Sequence, residues 1–253
     1  MTNDFIVVIP ARYASSRLPG KVLMPLQGKA LLQHVYERSL QSSAKRIIIA
    51  TDDAKVMHAA KTFAAEVYLT SPHHSSGTER IAELIKQLNF ADDEIIVNVQ
   101  ADKPLVSPKN INQVASDLMQ TNQAEVATLA VELHDEKRIF DPNQVKVVLD
   151  EAGYALYFSR APIPYLRAKT NVANQTIKTA YLGHLGLYAY TSRAILDYIQ
   201  LSPSPLEAIE SLEQLRLLWH QRKIHVAMAV DTFDPSVDTQ ADYDKLTEYL
   251  QQF

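Results

Sequence analysis

Three features of the chain predict an α/β fold built on a doubly wound, mainly parallel sheet. First, near-continuous apolar runs at 5–9 (FIVVI), 47–50 (IIIA) and 95–99 (IIVNV) read as strands buried on both faces. Second, helix-start signals fall between them, a β–α–β–α rhythm that lays helices on a sheet. Third, the pattern changes past residue 145, where two strand-like runs flank a turn and predict an antiparallel insertion.

Each element follows from local chemistry. The run at 5–9 empties into PARYASSRLPGK, residues 10–21, which carries Arg12, Arg17 and Lys21. Ligands of open α/β sheets bind at that end of a strand. Gly20 after Pro19 suits a turn. The run at 47–50 ends at Thr51-Asp52-Asp53, where a helix can start. A short strand at 67–69 leads to a polar loop with His73, His74 and Ser75, and Ser76 with Glu79 three residues on predicts a capping box. The run at 95–99 ends at Gln100-Ala101-Asp102. Ser107-Pro108 then opens a helix, with serine at the cap and proline in the first turn.

Residues 145–149 and 154–158 flank Asp150-Glu151-Ala152-Gly153, a hairpin signal. Residues 161–179, with Pro162, Pro164, Arg167 and Lys169, lack periodicity and predict a long loop, of the kind that is usually functional or disordered. A strand returns at 185–190. Ser204-Pro205-Leu206-Glu207 caps a helix over 205–220, whose Leu206, Ile209, Leu212, Leu215 and Trp219 recur at helical spacing. A strand at 225–230 leads to Asp238, read as the cap of a last helix. The reading is a single domain over 1–253, with about 150–190 as an antiparallel embellishment and candidate dimer surface.

Composition narrows the function. A hydrophobic share of 47% is ordinary for a globular core. The net charge of −4 disfavours non-specific nucleic-acid binding, so a local basic loop points to a small anionic ligand. With no cysteine, disulfides, thiolate metal sites and cysteine nucleophiles are excluded. No signal-like N-terminus and no apolar stretch of about 18 residues is present, so a cytoplasmic enzyme or binding protein without membrane insertion is expected.

Arg12, Arg17 and Lys21 together suit a polyphosphate, because arginine forks onto phosphate oxygens and lysine adds a point charge. A nucleoside triphosphate is the first candidate, and a solvated basic turn the alternative. The loop has neither the dinucleotide fingerprint nor the G-x-x-x-x-G-K-[ST] pattern. Asp102 and Asp238 both follow apolar strands, and Mg²⁺ is commonly held by one or two carboxylates plus substrate phosphates. Helix capping explains either aspartate without a metal.

In HHSSGTER, residues 73–80, Ser75, Gly77 and Thr78 could meet a base or ribose, with Arg80 one turn into the helix. The alternative is a capped helix with Arg80 in solvent. His73 and His74 have no partners at zinc-ligand spacing. On the helix predicted over 205–220, Glu210, Glu213, Gln214 and Leu217 fall on one face, which could grip a polyol or simply face water. Arg160, His184 and Tyr188 end or line predicted strands.

The ordered set PARYASSRLPGK, HHSSGTER, NVQADKP, NQVKVV, YALYFSRAPIP, HLGLYAY and SPLEAIESLEQLRLLW resembles the 3-deoxy-manno-octulosonate (Kdo) cytidylyltransferases, over nearly the whole chain. The resemblance implies a Rossmann-like nucleotidyltransferase, usually a homodimer, that uses CTP and Mg²⁺. Such an enzyme couples CMP to an acidic eight-carbon sugar destined for bacterial lipopolysaccharide and releases pyrophosphate. It implies Arg12, Lys21 and Asp102 as catalytic and Arg12, Arg17, Lys21, Ser75, Gly77, Arg80 and Gln100 as nucleotide-binding. Gln100, Arg160, His184, Tyr188, Glu210, Glu213 and Gln214 would surround the sugar, with Arg160 on its carboxylate, and Asp102 and Asp238 would bind the metal.

One position departs from the family. Where it commonly reads Gly-Asp-Glu-Pro, this chain reads Ala101-Asp102-Lys103-Pro104. Two unit charges about 4 Å apart interact by about 1 kcal/mol in water and about 4 at an effective dielectric of 20, and more against a divalent ion. Lys103 is therefore expected to point away from the metal or to meet an anionic group. An altered sugar, such as the 8-amino analogue of Kdo, is kept open. A cytidylyltransferase for another acidic sugar such as sialic acid and a nucleotide-sensing module without turnover are the rivals. A dehydrogenase is disfavoured by the missing glycines.

Overall fold

The computed structural model describes residues 4–14, 18–121, 123–167, 181–232 and 235–252. Among them one nine-stranded sheet organises the chain. Its strands are β1 (Phe5–Ala11), β4 (Arg46–Thr51), β5 (Glu66–Leu69), β6 (Ile95–Asn98), β7 (Val126–Glu132), β8 (Lys146–Leu149), β9 (Ala155–Ser159), β10 (Leu182–Thr191) and β11 (Ile224–Met228). A separate two-residue ladder pairs β2 (Pro25–Leu26) with β3 (Lys29–Ala30). The order across the sheet is β11-β7-β10-β6-β1-β4-β5, with β8 pairing β10 and β9 pairing β8. β1 is parallel to β4 and β6, β4 to β5, and β7 to β11. β10 runs antiparallel to both of its path neighbours.

The predicted mainly parallel, doubly wound sheet with antiparallel strands is present. The helices are α1 (Leu31–Ser39), α2 (Ala54–Thr62), α3 (Gly77–Leu88), α4 (Pro108–Gln120), α5 (Glu136–Phe140), α6 (Ser192–Tyr198), α7 (Pro205–Glu210), α8 (Gln214–Trp219) and α9 (Gln240–Leu250). Alternate β1 side chains feed two cores: Val7 and Ile9 pack with Leu32, Val35, Ile111 and Val114 of α1 and α4, and Ile6 and Val8 with Ile81, Leu84 and Ile195 of α3 and α6. Burial on both faces leaves the strand ends as the places where polar side chains can converge.

Four expectations are corrected. The part of the 150–190 segment from Leu182 onward is no embellishment: β10 lies inside the sheet between β6 and β7, and only the β8–β9 hairpin extends from it. The helix expected over 205–220 is two helices, because Ser211 adopts φ 52 and ends α7. That break leaves Ile209 79% and Trp219 51% exposed, so these two do not join the apolar stripe. The last helix is capped by Thr239, in a capping box with Asp242, and not by Asp238. At α3 the Ser76 hydroxyl accepts from Glu79 N, but the Glu79 carboxylate accepts from Ser75, one residue before the cap. The long loop expected at 161–179 lies largely outside the described residues.

Candidate active site

A cleft of about 1180 Å³ opens past the carboxyl ends of β1 and β6. Thirteen of the site residues that the resemblance implies line it: Arg12, Lys21, Ser75, Gly77, Arg80, Gln100, Asp102, Arg160, His184, Tyr188, Glu213, Gln214 and Asp238. Single-ligand sites are roughly 300–1,000 Å³, so this one has room for two substrates side by side. Glu210 is not on the lining, and Arg17 lies outside the described residues.

At one end of the cleft Lys21 meets both aspartates. Its Nζ donates to Asp102 Oδ2 at 2.8 Å, to Asp238 Oδ1 at 3.1 Å and to the Val237 carbonyl at 2.9 Å. Lys21 thus ties the β6 end to the segment before the last helix. The second Asp102 oxygen, Oδ1, is buried with no hydrogen-bond partner. An orphaned carboxylate oxygen beside a second carboxylate, both held on an ammonium, is a donor set suited to a hard cation. Among the described residues no group of three or more His, Cys, Asp or Glu could hold a metal, so any ion here would take its other ligands from substrate or water. Arg12, exposed on the rim, is open to an incoming anion.

The α3 entrance is more structural than expected. Glycine at 77 lets α3 approach β1, since a Cβ there would sit 3.2 Å from Pro10 Cγ. Ser75 gives its backbone N–H and hydroxyl to Glu79. Arg80 is not in solvent. Its guanidinium is 3% exposed, donating to Asp52 Oδ2 at 2.7 Å, to Thr70 Oγ1 and to the Ser71 carbonyl. His74 is paired with Glu83.

The other end of the cleft is built by β10 and the α7–α8 break. A bulge between His184 and Tyr188 is made by Gly186 at φ +66, a left-handed conformation that glycine adopts without strain. Gln100 Nε2 donates to the Gly186 carbonyl at 3.3 Å, tying the β6 end to this bulge. Burial, and then the Lys103 ammonium, lower the His184 imidazole to about 3, so the ring is neutral. Lys103 is itself 6% exposed and lines the cleft, so its charge is felt on the His184 side. Burial pushes the Glu213 carboxyl up, opposed by a hydrogen bond from Thr78 Oγ1 at 3.1 Å.

Tyr188 OH and Asn98 Oδ1 are both buried without a partner, and they face each other across the β6–β10 pair. Two orphaned polar groups on a cleft wall are places where ligand hydroxyls recover lost hydrogen bonds. Asn98 was not among the residues named from the sequence.

Arg160 and Glu210 form a frame. Arg160 Nε, NH1 and NH2 donate to the carbonyls of Glu210 at 2.7 Å, Pro142 at 2.9 Å and Ser211 at 3.2 Å. Of the five donors of a guanidinium, two remain for a ligand. The Glu210 carboxylate, expected at the sugar, instead accepts from Ser159 Oγ at 2.6 Å and Arg160 N at 2.9 Å. Behind both, the fully buried Lys146 ammonium donates to three carbonyls, those of Asp141, Gln144 and Arg160.

Comparison with known proteins bears on this geometry. A family model described as cytidylyltransferase matches residues 6–224. The chain is 49% identical over 260 residues to the 3-deoxy-manno-octulosonate cytidylyltransferase of Pasteurella multocida (strain Pm70), covering 100% of both. It is 51% identical over 251 residues to the protein of that description from Aeromonas hydrophila, covering 98% of this chain and 99% of the relative. The solved structure of a CMP:2-keto-3-deoxy-manno-octonic acid synthetase complexed with CTP is 38% identical. It superposes with a TM-score of 0.87 over 98% of each chain.

Proposed function

This chain belongs to the cytidylyltransferase family and is a nucleotidyltransferase, and we propose that its acceptor is an acidic eight-carbon sugar, Kdo or its 8-amino-3,8-dideoxy analogue. CMP is transferred from CTP and pyrophosphate leaves. The observation that carries this is the gathering of Arg12, Lys21 and Asp102 with His184, Tyr188 and Glu213 on one two-substrate cleft. We assign the product to bacterial lipopolysaccharide assembly and the enzyme to the cytoplasm; no helix among the described residues is long and apolar enough to cross a membrane. We also propose a homodimer through the β8–β9 hairpin, where Leu156 is 61% exposed.

The sugar's anomeric hydroxyl attacks the α-phosphorus of CTP in line, and the bond to pyrophosphate breaks. Positioning and charge stabilisation suffice, so no nucleophilic side chain is needed. Arg12 and Lys21 offset the charge that grows on the leaving pyrophosphate. Asp102 and Asp238 would hold Mg²⁺, which when bound supplies Lewis-acid stabilisation of phosphate charge and lowers the attacking hydroxyl's pKa. Glu213 accepts from a sugar hydroxyl, Asn98 and Tyr188 present their unmet acceptor and hydroxyl, and neutral His184 lines the same wall without adding charge. The two spare donors of Arg160 fork onto the sugar carboxylate.

The direct test is pyrophosphate release from CTP and Mg²⁺ with Kdo, its 8-amino analogue and sialic acid, with products identified by mass spectrometry. Turnover with Kdo or the analogue, and not with sialic acid, is expected; release with neither removes the assignment. Asp102→Asn is expected to lose most of kcat at saturating CTP, and near-normal turnover would end the metal role of Asp102. The analogue is included because buried Lys103 alters the charge on the sugar side. An identical preference between the two sugars in wild type and in Lys103→Glu, whichever sugar is favoured, would take Lys103 out of the specificity argument.

A further inference from the structure

An ammonium has three N–H donors, and Lys21 gives them to Asp102, Asp238 and the Val237 carbonyl. None is left for a phosphate oxygen. The lysine therefore cannot bind nucleotide while it holds the two aspartates. Nor can a divalent ion bind those carboxylates while the ammonium stands on them, because both cations need the same oxygens and repel each other. Lys21 is only 11% exposed and Asp102 only 17%, so water screens little of this competition.

We infer that Lys21 is a displaceable stand-in for the metal: its ammonium keeps Asp102 and Asp238 assembled as a cation site, and yields that place by swinging onto the nucleotide's phosphates. This rests on the metal and triphosphate roles proposed above. The backbone supports the exchange, since Val237 N donates to the Asp102 carbonyl at 2.9 Å and holds the two segments together without Lys21. Whatever draws Lys21 off the carboxylates raises their affinity for a cation, and a bound cation frees Lys21 for an anion. By linkage the two effects are equal in size. Nucleotide and metal thus enter as a mutually reinforcing pair, and the acidic pair is protected from cations while no nucleotide is present.

The test is Mn²⁺ binding to nucleotide-free protein, followed by electron paramagnetic resonance of free Mn²⁺. Lys21→Met is expected to bind Mn²⁺ about tenfold more tightly than wild type, or more. A merely structural lysine would give weaker binding when removed. Lys21→Gln serves as the second variant, and each is used only where its circular dichroism matches wild type. Arg12→Met removes an exposed cation from the same cleft and is expected to change Mn²⁺ affinity by less than about threefold. Equal or weaker binding by both Lys21 variants overturns the inference, as does an Arg12→Met effect as large as that of Lys21→Met. Wild type that binds Mn²⁺ with CTP while the variants gain nothing defeats only the stand-in role. No Mn²⁺ binding by any protein, with or without CTP, defeats the proposed metal site as well.

Discussion

Arg80→Met is expected to cost stability and to spare nucleotide affinity. The Arg80 side chain is 3% exposed, and its strongest partner is Asp52 at 2.7 Å. Methionine fills similar volume but leaves the Asp52 carboxylate beside α3 without its counter-charge. Removing one member of a buried pair costs about 3–5 kcal/mol. Asp52 keeps 16% of its side-chain exposure, so water relieves part of the loss and the lower end, about 3 kcal/mol, applies. For a chain of this length 1 kcal/mol moves Tm by roughly 2–4 °C, giving a fall of roughly 6–12 °C. Scanning calorimetry of Arg80→Met, Asp52→Asn and the double variant reads this directly. The double variant should recover part of the loss, because no stranded charge remains. The KM for CTP, measured well below the variant's midpoint, should stay close to wild type. A Tm within about 2 °C of wild type together with a roughly tenfold higher KM would refute the reasoning and return Arg80 to the nucleotide.

Three further outcomes are expected. The His184 ring has a folded-state pKa of about 3, below its ordinary value of 6.5, so the stability it contributes is complete above about pH 6.5 and falls away toward pH 3. Its share of the slope is at most about 1.4 kcal/mol per pH unit, and urea titrations at several pH values should show a shallower acid loss in His184→Asn. Glu210→Ala removes the anchor of Ser159 Oγ and Arg160 N and should cost about 2–3 kcal/mol, while raising the KM for sugar more than that for CTP. A uniform change in both KM values would disconnect that frame from the sugar. Lys146→Met removes the donor shared by the carbonyls of Asp141, Gln144 and Arg160 and should lower Tm in calorimetry with the same bias toward the sugar KM; an unchanged Tm would contradict the role given to it.

Much of the site was legible because apolar strands end abruptly in polar residues: Arg12 after β1 and Asp102 after β6 need no tertiary information. The caps at Asp53, Ser76, Ser107 and Ser204 were legible for a similar reason, since each side chain accepts from the first turn it precedes. Helix α1 carries no such mark. Its N-cap is Ala30, without a side-chain hydrogen bond, so nothing local announces it. The break at Ser211 was hidden because serine, unlike glycine, does not advertise a positive φ. It removed Glu210 from the ligand face and turned its carboxylate onto Arg160. Lys146 was obscured by alternation: a lysine in a valine-rich strand reads as solvent-facing, yet it is buried on two carbonyls of the 141–144 turn and that of Arg160. Asn98 and Tyr188 become a pair only through the β6–β10 register, which depends on topology rather than on either residue's neighbours in sequence.

The location of β10 constrains how the polypeptide can be made. β6 and β7 are synthesised well before their shared neighbour, which begins at Leu182, fifty positions after β7 ends at Glu132. Until that stretch leaves the ribosome, two inner strands present raw edges to solvent, the kind of edge that recruits other chains. β7 waits still longer for β11 on its far side. A premature stop after Glu132 should therefore yield aggregate rather than a half-sized soluble product, and chaperone capture during translation should peak while that gap stands open.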